Sequence, residues 1–383
     1  ENLNKLKITA KDYNKDYQFP SGSLDKEIEF FLDEALAASS QVADNIKLTE
    51  NNKTIRESVN DPVNPYYDMF ASTDPKNYEE VLMYRTYDVD LITHSFNHYI
   101  YHGAQKGYTH QMEQSILMDN GLPIYDRNSQ YAGDDYIQDT KINRDWRWRL
   151  FMKAPNEVKS FINYPDPNNL DRFNKAPVIY QTDGKYSTST GYMLGKGFTH
   201  DYNNQLLGRD VTASIIYRAA EAYLIYIEAC YEKNGSLDNK ARKYWKEIRE
   251  RAGVDGDFQK TINATDVAKE AENESDAQDE IELIDWGAYS HGKLVDPTLY
   301  NIRRERKAEF IGEGYRYDDL IRWRAMDQLN GFQTEGCKIW GPMKNDYEDG
   351  VLIADGAYET KNNVSSPSLS EYFRVFQVVE TNN

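Results

Sequence analysis

The sequence predicts an all-α protein in which tetratricopeptide-like helical hairpins form a superhelical scaffold beside a large irregular, loop-rich subdomain. Apolar residues recur at intervals of three and four in several segments, which is typical of helices that bury one face. Two such segments follow one another between residues 215 and 252, separated by Gly235, as expected of a helical hairpin. Residues 120–212, by contrast, are rich in Gly, Pro, Asn, Asp and Tyr, which favours loops.

The composition is that of a large acidic protein. The 383 residues include 45 Lys and Arg against 63 Asp and Glu, which gives a formal net charge of −18. Nucleic acids and anionic membrane surfaces both attract basic faces, so neither is expected as a partner. No apolar run approaches the ~20 residues that a spanning helix needs. The 30 Tyr, 14 Phe and 6 Trp exclude a disordered chain and suit surfaces that contact polar ligands.

The N-terminal half contains three predicted elements before the loop-rich region. Residues 24–42 predict a helix, because apolar residues recur at helical spacing after Ser23, a residue type that caps helices. Residues 79–101 alternate loosely and predict a short extended segment with a loop. A second amphipathic pattern at residues 105–118 predicts a short helix.

The C-terminal half has the clearest helical signal. Residues 215–230 form one apolar stripe, and residues 237–252 form a second helix with Trp245 and Ile248 facing inward. One hairpin cannot bury its own apolar face, so further hairpins are expected, with the 24–42 helix as a candidate partner. The acidic stretch 264–285 predicts a solvated helix capped by Thr265. Residues 299–312 and 317–329 predict another helix pair.

A cluster of alternating charges lies within residues 301–323. Charges recur there at spacings of three and four, before and after a glycine-containing turn, at Arg306, Glu309, Glu313, Arg316, Asp319 and Arg322. Apolar residues lie among them, and buried charges persist only when they are paired and hydrogen-bonded. We therefore expect a structural ion network, in which Arg316 faces Glu309, Glu313 and Asp319.

This segment resembles the signature of the SusD/RagB family, the outer-membrane nutrient-binding lipoproteins of Gram-negative gut bacteria. Ten residues carry the resemblance: Arg304, Arg306, Glu309, Glu313, Gly314, Arg316, Asp319, Leu320, Arg322 and Trp323. Residues 143–147, 217–229 and 246–254 resemble three further family motifs, with Trp146 in place of a proline. Four motifs in the same order make the resemblance specific over roughly residues 65–330.

The resemblance implies four regions. Residues 1–60 are a helical-repeat portion that lacks the N-terminal part of the family fold. Residues 61–212 are a loop-rich ligand-binding region, and residues 213–330 hold the helical hairpins, the signature and an acidic insertion at 255–298. Residues 331–383 are an irregular C-terminal segment. Because an alternating apolar run ends close to Asn383, we expect this segment to be truncated.

The resemblance also implies a function. Such a protein is lipid-anchored at the cell surface, in the outer membrane of a Gram-negative bacterium, through an anchor outside this segment. It binds oligosaccharide or polysaccharide and passes this glycan to a SusC-like TonB-dependent transporter. No cofactor is implied. The sequence contains none of the motifs G-x-S-x-G, H-E-x-x-H or G-x-x-x-x-G-K-[ST], so we expect neither catalytic residues nor an enzyme.

Three alternatives to this function stay open. An all-α glycoside hydrolase has the same acidic, aromatic-rich composition. A SusD-like protein that binds a non-glycan nutrient, such as peptides, has the same motifs. A tetratricopeptide adaptor needs several repeats at a ~34-residue period, of which the sequence offers one convincing hairpin.

Candidate ligand contacts come from the loop-rich region. Sugars stack their C–H faces on aromatic rings, and amide and charged side chains hydrogen-bond the hydroxyl groups. This mixture of residue types occurs at Trp146, Trp148, Tyr164, Tyr180, Tyr186 and Tyr192, together with Asn163 and Lys185. We expect the ligand to bind among these residues, with Trp148 as an exposed platform.

Bound metals are not expected. Four of the six histidines, His94, His98, His102 and His110, lie within seventeen residues. No Cys, Asp or Glu completes a ligand set at suitable spacing, which favours ordinary polar histidines. Turns at residues 166–171 and 345–350 have the residue types that bind Ca²⁺, without the twelve-residue loop pattern. We expect surface turns there, with a structural Ca²⁺ as the alternative.

Overall fold

A computed structural model of the protein describes residues 17–179, 186–271, 285–326, 334–339 and 341–346. Its α-helices are, in chain order, α1 (Leu24–Ala43), α2 (Pro65–Ala71), α3 (Phe96–His102), α4 (His110–Ser115), α5 (Trp146–Phe151), α6 (Tyr202–Gln205), α7 (Ala219–Asn234), α8 (Asn239–Arg251), α9 (Phe258–Ala264), α10 (Val267–Glu270), α11 (Pro297–Glu309) and α12 (Arg316–Arg322). Short 3-10 helices lie at Pro75–Asn77, Asp139–Lys141, Trp286–Ala288 and Pro342–Asp346.

The strands are short and pair two by two. They are β1 (Val81–Arg85), β2 (Met152–Lys153), β3 (Val158–Ser160), β4 (Asp171–Arg172), β5 (Met193–Leu194), β6 (Ser214–Arg218), β7 (Tyr289–Ser290) and β8 (Lys293–Leu294). The antiparallel pairs are β1 with β6, β2 with β5, β3 with β4 and β7 with β8. The described residues thus form the helix-rich fold that the sequence predicts, with small strand pairs as an addition.

Helices α7 and α8 form the predicted hairpin. Gly235 ends α7 with a φ of 62°, a left-handed conformation that glycine adopts without strain. Asp238 caps α8 by accepting a hydrogen bond from the Ala241 amide at 2.7 Å. The two helices share a buried core, which contains Leu224, Ile227, Cys230, Tyr244, Trp245 and Ile248.

Two further helices pack against α7. Helix α1 begins where the sequence predicts, with Ser23 accepting a hydrogen bond from the Lys26 amide at 3.3 Å. It lies along α7, which confirms it as the partner of the hairpin, and α11 also contacts α7. No helix in the described ranges is both long enough and apolar enough to cross a membrane.

The loop-rich region has a core of its own around α5. Trp148 and Phe151 have no exposed surface and pack with Tyr66 and Tyr192. Burying such rings removes a large apolar area from water, so this core holds irregular segments together without long helices. Helix α5 also contacts α11 and thereby joins this region to the helical scaffold.

Two predicted elements have a different secondary structure. Ile215 and Ile216 belong to β6 and not to α7, which begins only at Ala219. β-Branched side chains fit a strand well, and the stripe at helical spacing was misleading there. The extended segment expected up to residue 101 is present as β1, but the chain then forms α3, which ends at Gly103 with a φ of 98°.

Other predicted helices are shorter or displaced. The helix expected at 105–118 is confined to α4, which begins after the capping residue Thr109. Thr265 ends α9, and Asp266 is the residue that caps α10, so the prediction of a Thr265 cap is wrong. Residues 272–284 and 327–329 of the predicted helices lie outside the described residues.

Candidate functional site

The charges of the signature segment meet at Glu309, which has no exposed surface. Its carboxylate accepts hydrogen bonds from Arg218 and Arg251 at 2.6 Å each and from Arg147 at 3.3 Å. Burial raises the pKa of this carboxyl, but the three guanidinium groups outweigh burial and hold the pKa well below its usual range. Because the arginines come from β6, α8 and α5, one carboxylate connects three elements to α11.

Neighbouring carboxylates extend the network. Glu80 accepts hydrogen bonds from Arg218 at 3.0 Å and Arg251 at 3.1 Å. Glu313 accepts hydrogen bonds from Arg218 at 2.7 Å and from Lys196 at 2.5 Å. The charges are thus paired within the protein, which is typical of a structural network and not of a ligand site.

The other signature residues link α12 to the hairpin. Asp319 accepts hydrogen bonds at 2.8 Å from both Arg306 and Arg322. Glu228 of α7 accepts hydrogen bonds from Arg322 at 2.6 Å and from the Trp323 indole at 2.7 Å. These contacts join α12 both to α11 and to α7. In the same way Arg304, also in α11, pairs with Glu270 at 2.5 Å.

Arg316 differs from the prediction. Its guanidinium pairs with Asp285, and its side chain is 32% exposed. The expectation that it faces Glu309, Glu313 and Asp319 is wrong, because α11 ends at Glu309 and α12 begins at Arg316 itself. The intervening turn breaks the helical spacing on which that expectation depended.

Three of the predicted ligand contacts are part of the core. Trp148 and Tyr192 have no exposed surface, and Trp146 is only 9% exposed. The Trp148 indole donates a hydrogen bond to the Thr140 hydroxyl at 3.1 Å, which satisfies its one polar atom. The prediction that these rings contact a ligand is therefore wrong. Aromatic residues in a loop-rich sequence were assigned to the surface although they form the core that such a region needs.

The other predicted contacts have different positions. Tyr164 is half-buried against Tyr202, with ring centroids 5.3 Å apart. Asn163 is exposed and donates a hydrogen bond to Asp201 at 3.0 Å. Tyr180 and Lys185 lie outside the described residues.

Tyr186 is the predicted contact that lines a cavity. The cavity has a volume of about 270 Å³ and lies among α3, the β2–β4 region and the segment that follows residue 185. Its size is near the lower end for small-molecule pockets and suits about one sugar ring. Six side chains define its chemical character: Tyr101, His102, Lys153, Lys159, Phe173 and Tyr186.

Aromatic rings and ammonium groups are combined in this cavity. The Lys159 ammonium lies 4.3 Å from the centre of the Tyr101 ring and 5.1 Å from that of Phe173. The Tyr101 hydroxyl donates a hydrogen bond to Asp171. Burial and this hydrogen bond raise the pKa of Tyr101, so the hydroxyl stays protonated and can contact a sugar hydroxyl.

Most residues of this cavity have no signal in the sequence that predicts a ligand site. His102 was considered only as a possible metal ligand, and Tyr101 only as the end of the predicted extended segment 79–101. Lys159 lies between two buried residues of β3, Val158 and Ser160, so the alternation of that strand was a signal that its side chain faces away from the core. Only the fold brings this strand beside α3.

The histidines do not share one site. His94 contacts the Asp210 carboxylate at 3.2 Å, and His98 contacts the Gln205 carbonyl oxygen at 3.1 Å. His102 packs edge-on against Tyr186 with ring centroids 4.7 Å apart. Polar and aromatic contacts of this kind agree with the expectation of ordinary structural histidines.

His110 is different, because potential metal ligands surround it. The side chains of His110, Glu113 and Asp134 are buried, with ligand atoms within 4.8 Å of one another. The expectation that no Asp or Glu completes such a set is therefore wrong. However, Glu113 also accepts a hydrogen bond from Arg144 at 2.6 Å, so its charge is already balanced. We interpret the cluster as a buried polar network, and the absence of a metal stays a prediction.

The turns considered for Ca²⁺ make ordinary turn contacts where they are described. The Asp166 carboxylate accepts a hydrogen bond from the Asn168 amide at 3.1 Å, as in an Asx-turn. Residues 347–350 of the second turn lie outside the described residues. A structural Ca²⁺ thus remains an untested alternative.

Comparison with known proteins gives a consistent result. The sequence pattern of the SusD family matches residues 61–374. A solved SusD-like protein from Bacteroides fragilis is 18% identical with a TM-score of 0.50, and the match covers 83% of this chain and 57% of that one. A SusD-like carbohydrate-binding protein from the same species is 13% identical with a TM-score of 0.54, over 97% of this chain and 62% of that one.

These structural likenesses concern the fold alone, because the identities are low. The chain spans about three-fifths of the length of the two solved structures. No curated protein matches the sequence.

Proposed function

The chain belongs to the SusD family, and from that premise we propose that it binds glycan at the cell surface and passes it to a TonB-dependent outer-membrane transporter. Membership of this family supports the prediction that the chain is not an enzyme, and that prediction is part of the proposal. The transporter, and a lipid anchor attached outside this segment, belong to the proposal.

The observation that carries the proposal is the combination of side chains around the 270 Å³ cavity. Tyr101, Phe173 and Tyr186 supply aromatic surface on which the C–H face of a sugar ring can stack. Lys159, Asn174 and Thr188 supply donors and acceptors for hydroxyl groups. Carbohydrate recognition needs both kinds of group in one place, whereas the Glu309 carboxylate is buried and paired with three guanidinium groups of the protein itself.

The proposal includes the architecture of the scaffold. Helices α1, α8 and α11 each pack against α7 around one core, and we propose that the four belong to a superhelix of tetratricopeptide type. Such a scaffold is rigid enough to dock on a transporter while it holds the cavity in place. Co-purification of the full-length protein with a SusC-like transporter from the same cells tests this docking, and the absence of a complex would contradict it.

Affinity electrophoresis against a panel of polysaccharides, followed by calorimetry with oligosaccharides, tests glycan binding. We expect at least one glycan to bind, and we expect Tyr186→Ala to weaken that binding about tenfold or more, in line with the loss of one stacking contact and its hydrogen bonds. Tyr317→Ala is the matched control, because this tyrosine is 63% exposed on α12 and lies outside the cavity.

Three results would contradict the proposal. If the protein binds peptides and no glycan, the proposed ligand is wrong, although the chain still belongs to the SusD family. If the Tyr186→Ala variant binds the glycan as tightly as the parent does, the cavity is not the glycan-binding site. Release of reducing sugar at a reproducible rate, abolished by one carboxylate substitution, would favour a glycoside hydrolase.

A further inference from the structure

We infer that the cavity at Tyr101 and Tyr186 binds a negatively charged group of the glycan, a carboxylate or a sulfate. The inference rests on the proposed function, since it adds the charge of the ligand to the binding of glycan. It depends on which charges line the cavity and on how the buried lysines of this protein are otherwise paired.

The charged side chains among the described residues of the cavity lining are all of one sign. Lys153 and Lys159 line it together with His102, and none of the described lining residues is an Asp or a Glu. The chain as a whole has 63 acidic residues against 45 basic ones. A cavity with two lysines and no described carboxylate in its lining is therefore a local reversal of the charge of the molecule, as expected of a site that attracts an anion.

Other lysines with little exposed surface have a carboxylate partner. Lys196 lies 2.5 Å from Glu313, Lys307 lies 3.2 Å from Asp285, and Lys141 pairs with Glu157. Burial of an ammonium group is unfavourable unless an anion compensates it, and these pairs follow that rule.

The two lysines that line the cavity have no such carboxylate partner among the described residues. Lys153 is only 3% exposed, and its ammonium lies 4.6 Å from the centre of the Tyr67 ring, with no carboxylate of the described residues within hydrogen-bonding distance. Lys159 contacts the rings of Tyr101 and Phe173, again without an ion pair among the described residues. In the described part of the chain, two ammonium groups are thus held in or beside one cavity without the carboxylate that accompanies the other buried lysines.

The titration behaviour agrees with this geometry. Burial lowers the pKa of Lys153 to about 8, although Glu157 opposes the shift, and burial also lowers the pKa of Lys159 despite Asp171. Asp171 is engaged by the Tyr101 hydroxyl, and Glu157 is paired with Lys141. An anionic group in the cavity would compensate the Lys159 ammonium, and it would also lie near Lys153, whose side chain lines the same cavity.

Matched oligosaccharides test the inference by calorimetry. One pair is tetragalacturonate and the same oligomer with its carboxylates reduced to hydroxymethyl groups. The other pair is a carrageenan tetrasaccharide and its desulfated form. In one of the two pairs, we expect the charged member to bind the parent protein at least tenfold more tightly than the neutral member. The pair that shows this difference identifies the bound group as a carboxylate or as a sulfate.

Two variants connect this preference to the cavity. We expect Lys159→Gln to lower affinity for the charged oligosaccharide about tenfold, to the level of the neutral one, and Lys159→Arg to retain the preference. Lys293→Gln is the matched control. This lysine lies exposed on β8, so its substitution removes the same charge outside the cavity. Thermal melts that coincide with the parent show that each variant is folded.

The outcomes separate the inference from the proposed function. If neutral glycans bind and the charged forms bind no more tightly, the inference is overturned while glycan binding stands. If the charged form is preferred equally by the parent and by Lys159→Gln, the anion is recognised elsewhere and the inference is again overturned. If no glycan of either kind binds, the proposed function fails and this inference fails with it.

Discussion

Single residues with no exposed surface carry much of the stability of this protein. Glu309 accepts hydrogen bonds from three guanidinium groups, and Trp148 packs in the centre of the loop-rich region. Each of these two side chains stabilises the fold because the residues packed around it cannot adjust to a smaller or uncharged replacement. Substitutions at these positions therefore change the free energy of unfolding more than substitutions of partly exposed residues of the same type.

Two arginines make this contrast measurable. Arg218→Ala leaves Glu309, Glu313 and Glu80 with fewer partners in the interior, and we expect it to lower the free energy of unfolding by roughly 3–5 kcal/mol. Arg316→Ala should cost about 1 kcal/mol or less, because that side chain is a third exposed and Asp285 keeps Lys307. Urea denaturation of both variants measures the difference, and equal losses would contradict it.

The Trp148→Ala variant tests the burial of that ring. Removing the indole leaves a cavity in the core and leaves the Thr140 hydroxyl without its donor, so we expect a loss of roughly 3–5 kcal/mol. Tyr217→Ala is a suitable control, because this ring is 54% exposed. Thermal and urea unfolding measure both. A Trp148→Ala variant as stable as the parent would mean that the ring is the exposed platform that the sequence suggested.

The pKa of Lys153 predicts a pH dependence for binding of a charged glycan. With a pKa of about 8, this ammonium is mostly protonated at pH 7 and mostly neutral at pH 9. Because an anion binds the protonated form, its affinity should fall between these values, by up to about tenfold, whereas a neutral glycan should be unaffected. Calorimetry at pH 7 and 9 measures both ligands, and a rise in affinity for the charged glycan at pH 9 would contradict the assignment.

The sequence predicts some of these residue roles and not others. The spacing of Arg306, Glu309 and Asp319 correctly indicates paired charges near the core. Helical spacing cannot predict the partners of Glu309, because Arg147 and Arg218 lie 162 and 91 residues from it in the sequence. Trp148 was assigned to the surface for a different reason. Composition shows that aromatic rings are abundant, but it does not show which of them face inward.

At the scale of elements, the ends of α7 and α8 depend on two glycines with similar backbone conformations. Gly235 has a φ of 62° and Gly253 a φ of 65°. A Cβ at Gly235 would have no neighbour within 4 Å, whereas a Cβ at Gly253 would press on the Trp146 ring. The two positions therefore separate backbone strain from overpacking.

We expect Gly235→Ala to cost about 1 kcal/mol, from the left-handed backbone alone. Gly253→Ala should cost roughly 2–4 kcal/mol, because steric overlap with the indole adds to the same strain. Chemical denaturation of the two variants gives both values. Equal losses would show that the indole moves aside and that packing there is loose.

Elements with long apolar repeats were predictable, and short elements were not. Helices α1 and α8 have a capping residue, α7 has a terminal glycine, and all three have an apolar repeat of several turns. Strand β6 escaped prediction because Ile215 and Ile216 continue the apolar stripe of α7, and only pairing with β1 distinguishes a strand from a helix there. Helix α3 has no side-chain cap to signal its start.

At the scale of the whole molecule, the ion network joins two differently built regions. The helical scaffold contributes α7, α8 and α11, and the loop-rich region contributes α5 and the segment around Glu80. Paired charges in the interior fix orientation more sharply than apolar contacts do, because a shifted pair leaves a charge uncompensated. The boundaries proposed for the four sequence regions stay a prediction.

The cavity follows from that arrangement. Helix α3, strand β3 and the segment after residue 185 are distant in sequence, and the fold alone brings Tyr101, Lys159 and Tyr186 together. Family membership was accessible from four short motifs, but the position of the cavity was not, because no residue of those motifs is among the described residues that line it.

The most direct test of this account is a crystal structure of the full-length protein with the oligosaccharide that it binds most tightly. The account predicts a sugar ring in the cavity, stacked on Tyr101 or Tyr186, with a carboxylate or sulfate within about 4 Å of the Lys159 ammonium. A glycan bound only at another surface, with the cavity free of sugar, would contradict it.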